Sequence, residues 1–145
     1  MASYGTLANL VSGDTVSIDS SSVSSTFDSA NVGTRTATVT GIALSGADAA
    51  NYSISDQIGN AEITAFTLDL GLMATDKVYD GADSASVTAS PNEFSGDDVS
   101  VTFNAAFANK NVANNKVINL TNLTPSGTDA ANYALPASPS VTADL

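Results

Sequence analysis

The sequence predicts an all-β chain made of two tandem copies of one small module. Three observations carry this. The segment Ser45-Gly46-Ala47-Asp48-Ala49-Ala50-Asn51-Tyr52 recurs as Ser126-Gly127-Thr128-Asp129-Ala130-Ala131-Asn132-Tyr133, identical at seven of eight positions and offset by 81 residues. Short runs rich in Thr, Val and Ile alternate apolar with polar residues, the period of a half-buried strand. Clusters of Gly, Asn, Asp and Ser punctuate these runs, and no stretch keeps apolar residues at helical spacing over three turns.

The repeat extends beyond that segment. Ser12-Gly13-Asp14 recurs as Ser95-Gly96-Asp97, offset by 83, and Phe27, Asn31 and Val32 recur as Phe107, Asn111 and Val112, offset by 80. Ordered matches at nearly one period imply two copies separated by small insertions. Ala61-Glu62-Ile63-Thr64 closes the first copy and Ser140-Val141-Thr142-Ala143-Asp144 the second, which places the modules at residues 1–65 and 66–145. Charge divides evenly: six acids and Arg35 in the first, nine acids and three lysines in the second.

The clearest strand patterns are Thr36-Ala37-Thr38-Val39-Thr40, Val99-Ser100-Val101-Thr102-Phe103 and Val117-Ile118-Asn119-Leu120-Thr121-Asn122-Leu123. The Ala-rich piece from Phe103 to Phe107 predicts a single helical turn at most. Each copy then holds about six or seven short strands, the size of an Ig-like β-sandwich. Two small sandwiches arranged end to end is the expected architecture. A β-grasp module, with one short helix crossing the sheet, is the alternative.

The shared segment reads as a structural corner. Gly46 and Gly127 permit a positive φ in a tight turn. Asp48 and Asp129 are expected to accept bonds from backbone N–H groups two or three residues on. Asn51 and Asn132 tolerate the left-handed region. Tyr52 and Tyr133 then begin a strand, with the ring in the core and the hydroxyl free to bond the loop.

Composition removes several function classes. The chain has no Cys and no His, so disulfides, thiolate metal sites and the commonest general base are all missing. The net charge is −11 and the sequence pI about 4.1, which makes nucleic acid and anionic membranes poor partners. No apolar run approaches the roughly 20 residues a membrane helix needs. No secretion signal opens the chain, so an exported protein would carry this segment in its interior. Hydroxyls abound, but no Ser-x-x-Lys motif is present, and Glu62 and Glu93 are the only glutamates. The expected chain is not an enzyme.

Four segments resemble one family. Lys77-Val78-Tyr79-Asp80-Gly81, Ser95-Gly96-Asp97-Asp98-Val99, Phe107-Ala108-Asn109-Lys110-Asn111-Val112 and Ser126 to Tyr133 look like the bacterial YDG repeat. That repeat occurs in tandem, with related MBG repeats, in large adhesins of the filamentous-haemagglutinin type. The second copy matches over nearly its whole length. The first matches from Ser12, and its opening Tyr4-Gly5-Thr6 departs from the expected Tyr-Asp-Gly-Thr. The resemblance implies an extracellular or cell-surface stalk that supports adhesion or biofilm attachment. Its partners would be neighbouring repeats of the same polypeptide, with a surface glycan or matrix polysaccharide as a second possibility. The fragment itself is expected to be a monomer.

Three chemical expectations remain. Asp69, Asp76, Asp80 and Asp83 gather where the copies meet and form a candidate calcium site at the junction. Lys77, placed on the first strand of the second copy, is a candidate for an internal Lys–Asn crosslink. The competing reading is an exposed Lys paired with Asp76 or Asp80. Tyr4 and Tyr79, beside polar loops, are the candidate contacts if the modules bind a glycan or host protein.

Overall fold

A computed structural model describes residues 6–145, so Tyr4 and Gly5 lie outside the described residues. The chain separates into two compact units, residues 1–63 and 64–145. Among the described residues, strands and two single 3-10 turns are the only regular elements. The protein is therefore all-β, built from several small sheets. The crossing helix of a β-grasp module does not occur among these residues.

Unit 1 contains β1 (Ser17–Asp19), β2 (Ser24–Phe27), β3 (Gly33–Thr40), β4 (Ala43–Ser45) and β5 (Gln57–Ile63). β1 pairs with β4, and β2, β3 and β5 form an antiparallel sheet with β3 in the middle. Unit 2 contains β6 (Phe66–Thr67), β7 (Met73–Thr75), β8 (Ser86–Thr88), β9 (Ser100–Phe107), β10 (Lys116–Ser126), β11 (Tyr133–Ala134) and β12 (Ser140–Ala143). β10 is central between β12 and β9, β7 and β8 form a hairpin, and β11 pairs in parallel with β6.

Register explains the three offsets of the repeat. In unit 2 the ladder between β9 and β10 is interrupted between Thr121 and Thr124, where Asn122 takes a φ of 55°. In unit 1 the same interruption, with Gly41 at a φ of 72°, breaks the ladder into two pieces. β1 with β4 corresponds to one half and β2 with β3 to the other. Asp19 pairs with Ala43 as Thr102 pairs with Thr124, and Ser24 pairs with Thr40 as Asn104 pairs with Thr121. Unit 1 therefore carries three extra residues inside segment 20–23, which reduces the offset from 83 to 80. Phe27 pairs with Ala37 as Phe107 pairs with Ile118, and one extra residue in the following loop of unit 2 brings the offset to 81.

The expected helical turn at Phe103 to Phe107 is the end of β9. Phe103 packs on the core, Phe107 is buried within it, and both lie on one face because strand side chains alternate. The pairing with β10 overrides the weak helix preference of two alanines.

The cores of the two units differ. In unit 2, Phe107, Ile118, Leu120, Ala143 and Leu145 form one buried cluster, and Leu68, Leu70 and Tyr133 form a second. Leu72, Ala74, Ala85 and Val87, from the hairpin and the segment leading into it, pack on the first cluster. Among the described residues of unit 1 none is fully buried.

Candidate functional site

The duplicated segment builds the same corner twice, from residues far apart in sequence. Gly46 and Gly127 both take a φ of 115°, as the reading of a tight turn requires. The carboxylate of Asp48 accepts the N–H of Thr15 at 2.8 Å, and that of Asp129 accepts the N–H of Asp98 at 2.9 Å. In return the N–H of Asp48 donates to the Thr15 carbonyl, and that of Asp129 to the Asp98 carbonyl, each at 3.2 Å. This corrects the expected local Asx turn. Each Asp, just past the end of its own strand, binds the segment that leads into the partner strand.

Asn51 and Asn132 do not adopt the left-handed region. They close the 3-10 turns Ala49–Asn51 and Ala130–Asn132, in which the N–H of Tyr52 donates to Ala49 and the N–H of Asn132 to Asp129. The left-handed asparagines are Asn9, Asn115 and Asn122.

The tyrosines complete the corner. Tyr52 donates its hydroxyl to the Asp14 carboxylate at 2.7 Å and accepts the Val11 N–H at 3.0 Å. Tyr133 donates to Asp97 at 2.6 Å and accepts the Phe94 N–H at 2.9 Å. The Ser-Gly-Asp motif is thus the docking turn for the tyrosine of the other motif, which is why the two recur together. Tyr133 begins β11 and is buried, with its ring against Phe66 and Phe94 at centroid distances of 6.1 and 6.2 Å. Tyr52 is extended but only half-buried, and it begins no strand.

Desolvation, then the hydrogen bond to Asp97, raises the Tyr133 phenol above its ordinary pKa, against the opposing pull of the Phe94 N–H. At Tyr52 the Val11 N–H lowers the value, but the bond to Asp14 and the neighbouring acids carry it upward overall. A raised folded-state pKa means that the contribution is complete below the unfolded phenol value of about 10 and is lost as pH rises through the folded value. Tyr133→Phe is expected to lower the melting midpoint of unit 2 by roughly 5 °C at neutral pH, the size of one hydrogen bond in a domain of this length. The difference from wild type should vanish in strongly alkaline buffer, as thermal melts across pH will read.

A duplicated cation, missed in the sequence reading, clamps the loop before the central strand. Arg35 donates to the carbonyls of Asn31 and Val32 at 2.7 and 2.8 Å. Lys116 donates to the Asn109 carbonyl at 2.6 Å and to the Asn111 carbonyl, and lies 5.8 Å from the centroid of the Phe107 ring. The only Arg and this Lys stand 81 residues apart, the same offset as the corner motif. That spacing is the signal that would have found them.

The Lys77 to Gly81 segment is a turn, not a strand: Lys77 follows β7. Its ammonium pairs with Asp80 at 2.9 Å and donates to the carbonyls of Ala82 and Ser84 at 3.3 and 3.0 Å and to the Ser84 hydroxyl at 3.1 Å. The Lys77 side chain is 17% exposed and the Asp80 side chain 56%, so the pair is open to solvent on the carboxylate side. The Lys77 bond, followed by the Ala82 N–H at 3.0 Å, holds the Asp80 carboxyl below its ordinary pKa. Gly81 takes a φ of 87° in the same turn. Val78 and Tyr79 stand at the tip, 90% and 54% exposed.

The four candidate calcium ligands all fall in residues 64–145, and each is spent on the backbone or left apart. Asp69 accepts the Gly71 N–H at 3.1 Å, and Asp76 accepts the Asp144 N–H at 2.9 Å. Asp80 is engaged by Lys77, and Asp83 offers its main-chain carbonyl to the Phe107 N–H at 2.8 Å. Among the described residues no three acids converge as a metal-binding group. The expected junction cage is not assembled from these residues.

The fold and its paired corners define a tandem-repeat β protein in which the motif residues serve the frame. A model of the YDG domain matches residues 2–59 and again residues 64–142, and the chain belongs to that family. No curated relative and no solved structure matches it.

Proposed function

We propose that the chain is a non-catalytic spacer of a bacterial cell-surface adhesin, lying outside the cell and holding other parts of a longer polypeptide at a distance. The observation that supports this is the use of the motif side chains. Asp48, Tyr52, Asp129, Tyr133, Lys77 and Asp80 all bond the protein's own backbone or side chains. Groups so engaged are poor candidates for nucleophiles or acid–base catalysts, which must reach a substrate. The architecture that suits a spacer is two small sandwich modules end to end, each contacting neighbouring repeats.

One observation favours a second reading. The Lys77 clamp presents Val78 and Tyr79 to solvent on a fixed turn, and a rigid exposed aromatic is a common anchor for a ligand. In that reading the modules themselves bind a glycan or a host protein. Small-angle scattering and a glycan array on the same protein separate the two. The spacer predicts an elongated monomer and a silent array, and a globule with one fused core would end it. Array binding that is lost in Tyr79→Ala would instead establish the second reading.

A further inference from the structure

We propose that the Asp80–Gly81 bond is a site of succinimide formation and that the Lys77 clamp guards it. Asp80-Gly81 is the only Asp-Gly pair in the chain, and Asn-Gly does not occur. In this dipeptide the amide nitrogen that follows the Asp has no side chain beside it to hinder attack on the carboxyl carbon. The turn adds no obstacle of its own. Asp80, Gly81 and Ala82 are all exposed. Apart from its chain neighbours, no heavy atom lies within 4 Å of the place a Gly81 Cβ would occupy.

Closure is a dehydration. The Gly81 nitrogen bonds to Asp80 Cγ, the Cγ–OH bond breaks, and the hydroxyl leaves with the amide proton as water. Only the neutral carboxyl has a hydroxyl to expel. The ring then takes up water from solvent at either carbonyl, which returns aspartate or yields isoaspartate. Lys77 opposes the first step. Its ammonium lies 2.9 Å from Asp80 Oδ1, and the same oxygen accepts the Ala82 N–H at 3.0 Å. Both bonds favour the ionised carboxyl, and the ion pair has no counterpart in the uncharged ring. The clamp therefore stabilises the starting state more than the transition state, which slows the reaction. The ammonium is itself held in place by the carbonyls of Ala82 and Ser84 and by the Ser84 hydroxyl. An isoaspartate would route the backbone through Cβ and carry the carboxylate away from Lys77. The turn that presents Val78 and Tyr79 to solvent would then lose its clamp.

The test incubates the folded 145-residue chain in neutral buffer beside its Lys77→Met, Lys77→Gln and Lys77→Arg variants. A synthetic peptide of residues 75–86 gives the unguarded rate. Digestion and fragmentation mass spectrometry read the water-loss species and isoaspartate at residue 80. The peptide should react fastest and the wild-type chain slowest. Lys77→Met and Lys77→Gln should each react about tenfold faster than wild type, the factor that one lost bond to a charged group supplies. Lys77→Arg should stay close to wild type, because the guanidinium keeps the charge. Hydrogen exchange in β9 and β10 checks that each variant is folded, and Lys77→Gln retains a donor for the turn carbonyls if Lys77→Met does not fold. Rates in the neutral variants at or below wild type overturn the proposal. So does a wild-type chain that reacts as fast as the peptide, or Lys77→Arg reacting as fast as Lys77→Met. Equal acceleration at Asp19-Ser20, Asp28-Ser29 and Asp83-Ser84 would report general loosening of the chain and would overturn it as well.

Discussion

Gly127→Ala is expected to destabilise unit 2 by about 2–4 kcal/mol, combining a disallowed backbone angle with a steric clash. At a φ of 115° an alanine is strained whatever the space around it. Here there is also no space. A Cβ at Gly127 would sit 2.7 Å from the Asp98 carbonyl carbon and closer still to its oxygen. That carbonyl cannot retreat without breaking its bond from the Asp129 N–H, and the reciprocal bond from the Asp98 N–H to the Asp129 carboxylate would go with it. In a domain of this size the melting midpoint should fall by roughly 4–8 °C for each kcal/mol. Gly46→Ala meets the Thr15 carbonyl in the same way, with its carbon at 3.0 Å, and should damage unit 1. Gly59→Ala is the control: no atom lies within 4 Å of its Cβ. A melt of Gly127→Ala that matches the Gly59→Ala control would show that the corner does not depend on the close approach.

The corner was only partly legible in the sequence. Gly46 and Gly127 could be placed in a turn because positive φ is a local demand that one residue type meets. The partner of Asp48 could not be read, since Thr15 is 33 positions away and nothing local distinguishes it from an Asp capping its own turn. A tyrosine hydroxyl bonded to a loop can be expected of Tyr52 and Tyr133 from sequence, but only the fold shows that the loop is the Ser-Gly-Asp motif. The same limit applies to Lys77. Its motif was visible, yet its conversion into a clamp depends on carbonyls of Ala82 and Ser84 that only the turn brings round. Asp69, Asp76, Asp80 and Asp83 are close in number, but the backbone directs each to a different task. Sequence proximity of acids says little about convergence when the intervening chain is strand and turn.

Strand positions were more legible than strand continuity. The alternation in Thr36–Thr40 and Val117–Leu123 located both central strands, because the inward face must be apolar wherever a sheet covers a core. The breaks at Gly41 and Asn122 were not evident. A bulge is set by the two-against-one count of facing residues, which exists only once the partner strand is known. The offsets of 83, 80 and 81 held that information, and register was needed to interpret it.

Phe107→Ala should cost unit 2 about 3–5 kcal/mol, while Phe27→Ala should cost unit 1 no more than about 1 kcal/mol. The two phenylalanines are the same residue of the repeat, on matching strands, paired with Ala37 in one unit and Ile118 in the other. What separates them is cover. Phe107 is enclosed by Ile118, Leu120 and Leu145 and by the hairpin residues Ala85 and Val87, so its removal leaves a cavity that the sheet cannot close. Phe27 is already 48% exposed, so truncation removes contacts on one side only and opens no void. A unit of 82 residues has a total stability of about 4–12 kcal/mol. The first substitution therefore consumes a large share of it and should shift the midpoint by well over 10 °C. Hydrogen exchange assigned to each unit will separate the effects. Equal losses in the two units would mean that Phe27 is covered in solution by something other than residues 6–63. In that case the asymmetry should return when the chain is diluted, if a second copy provides the cover.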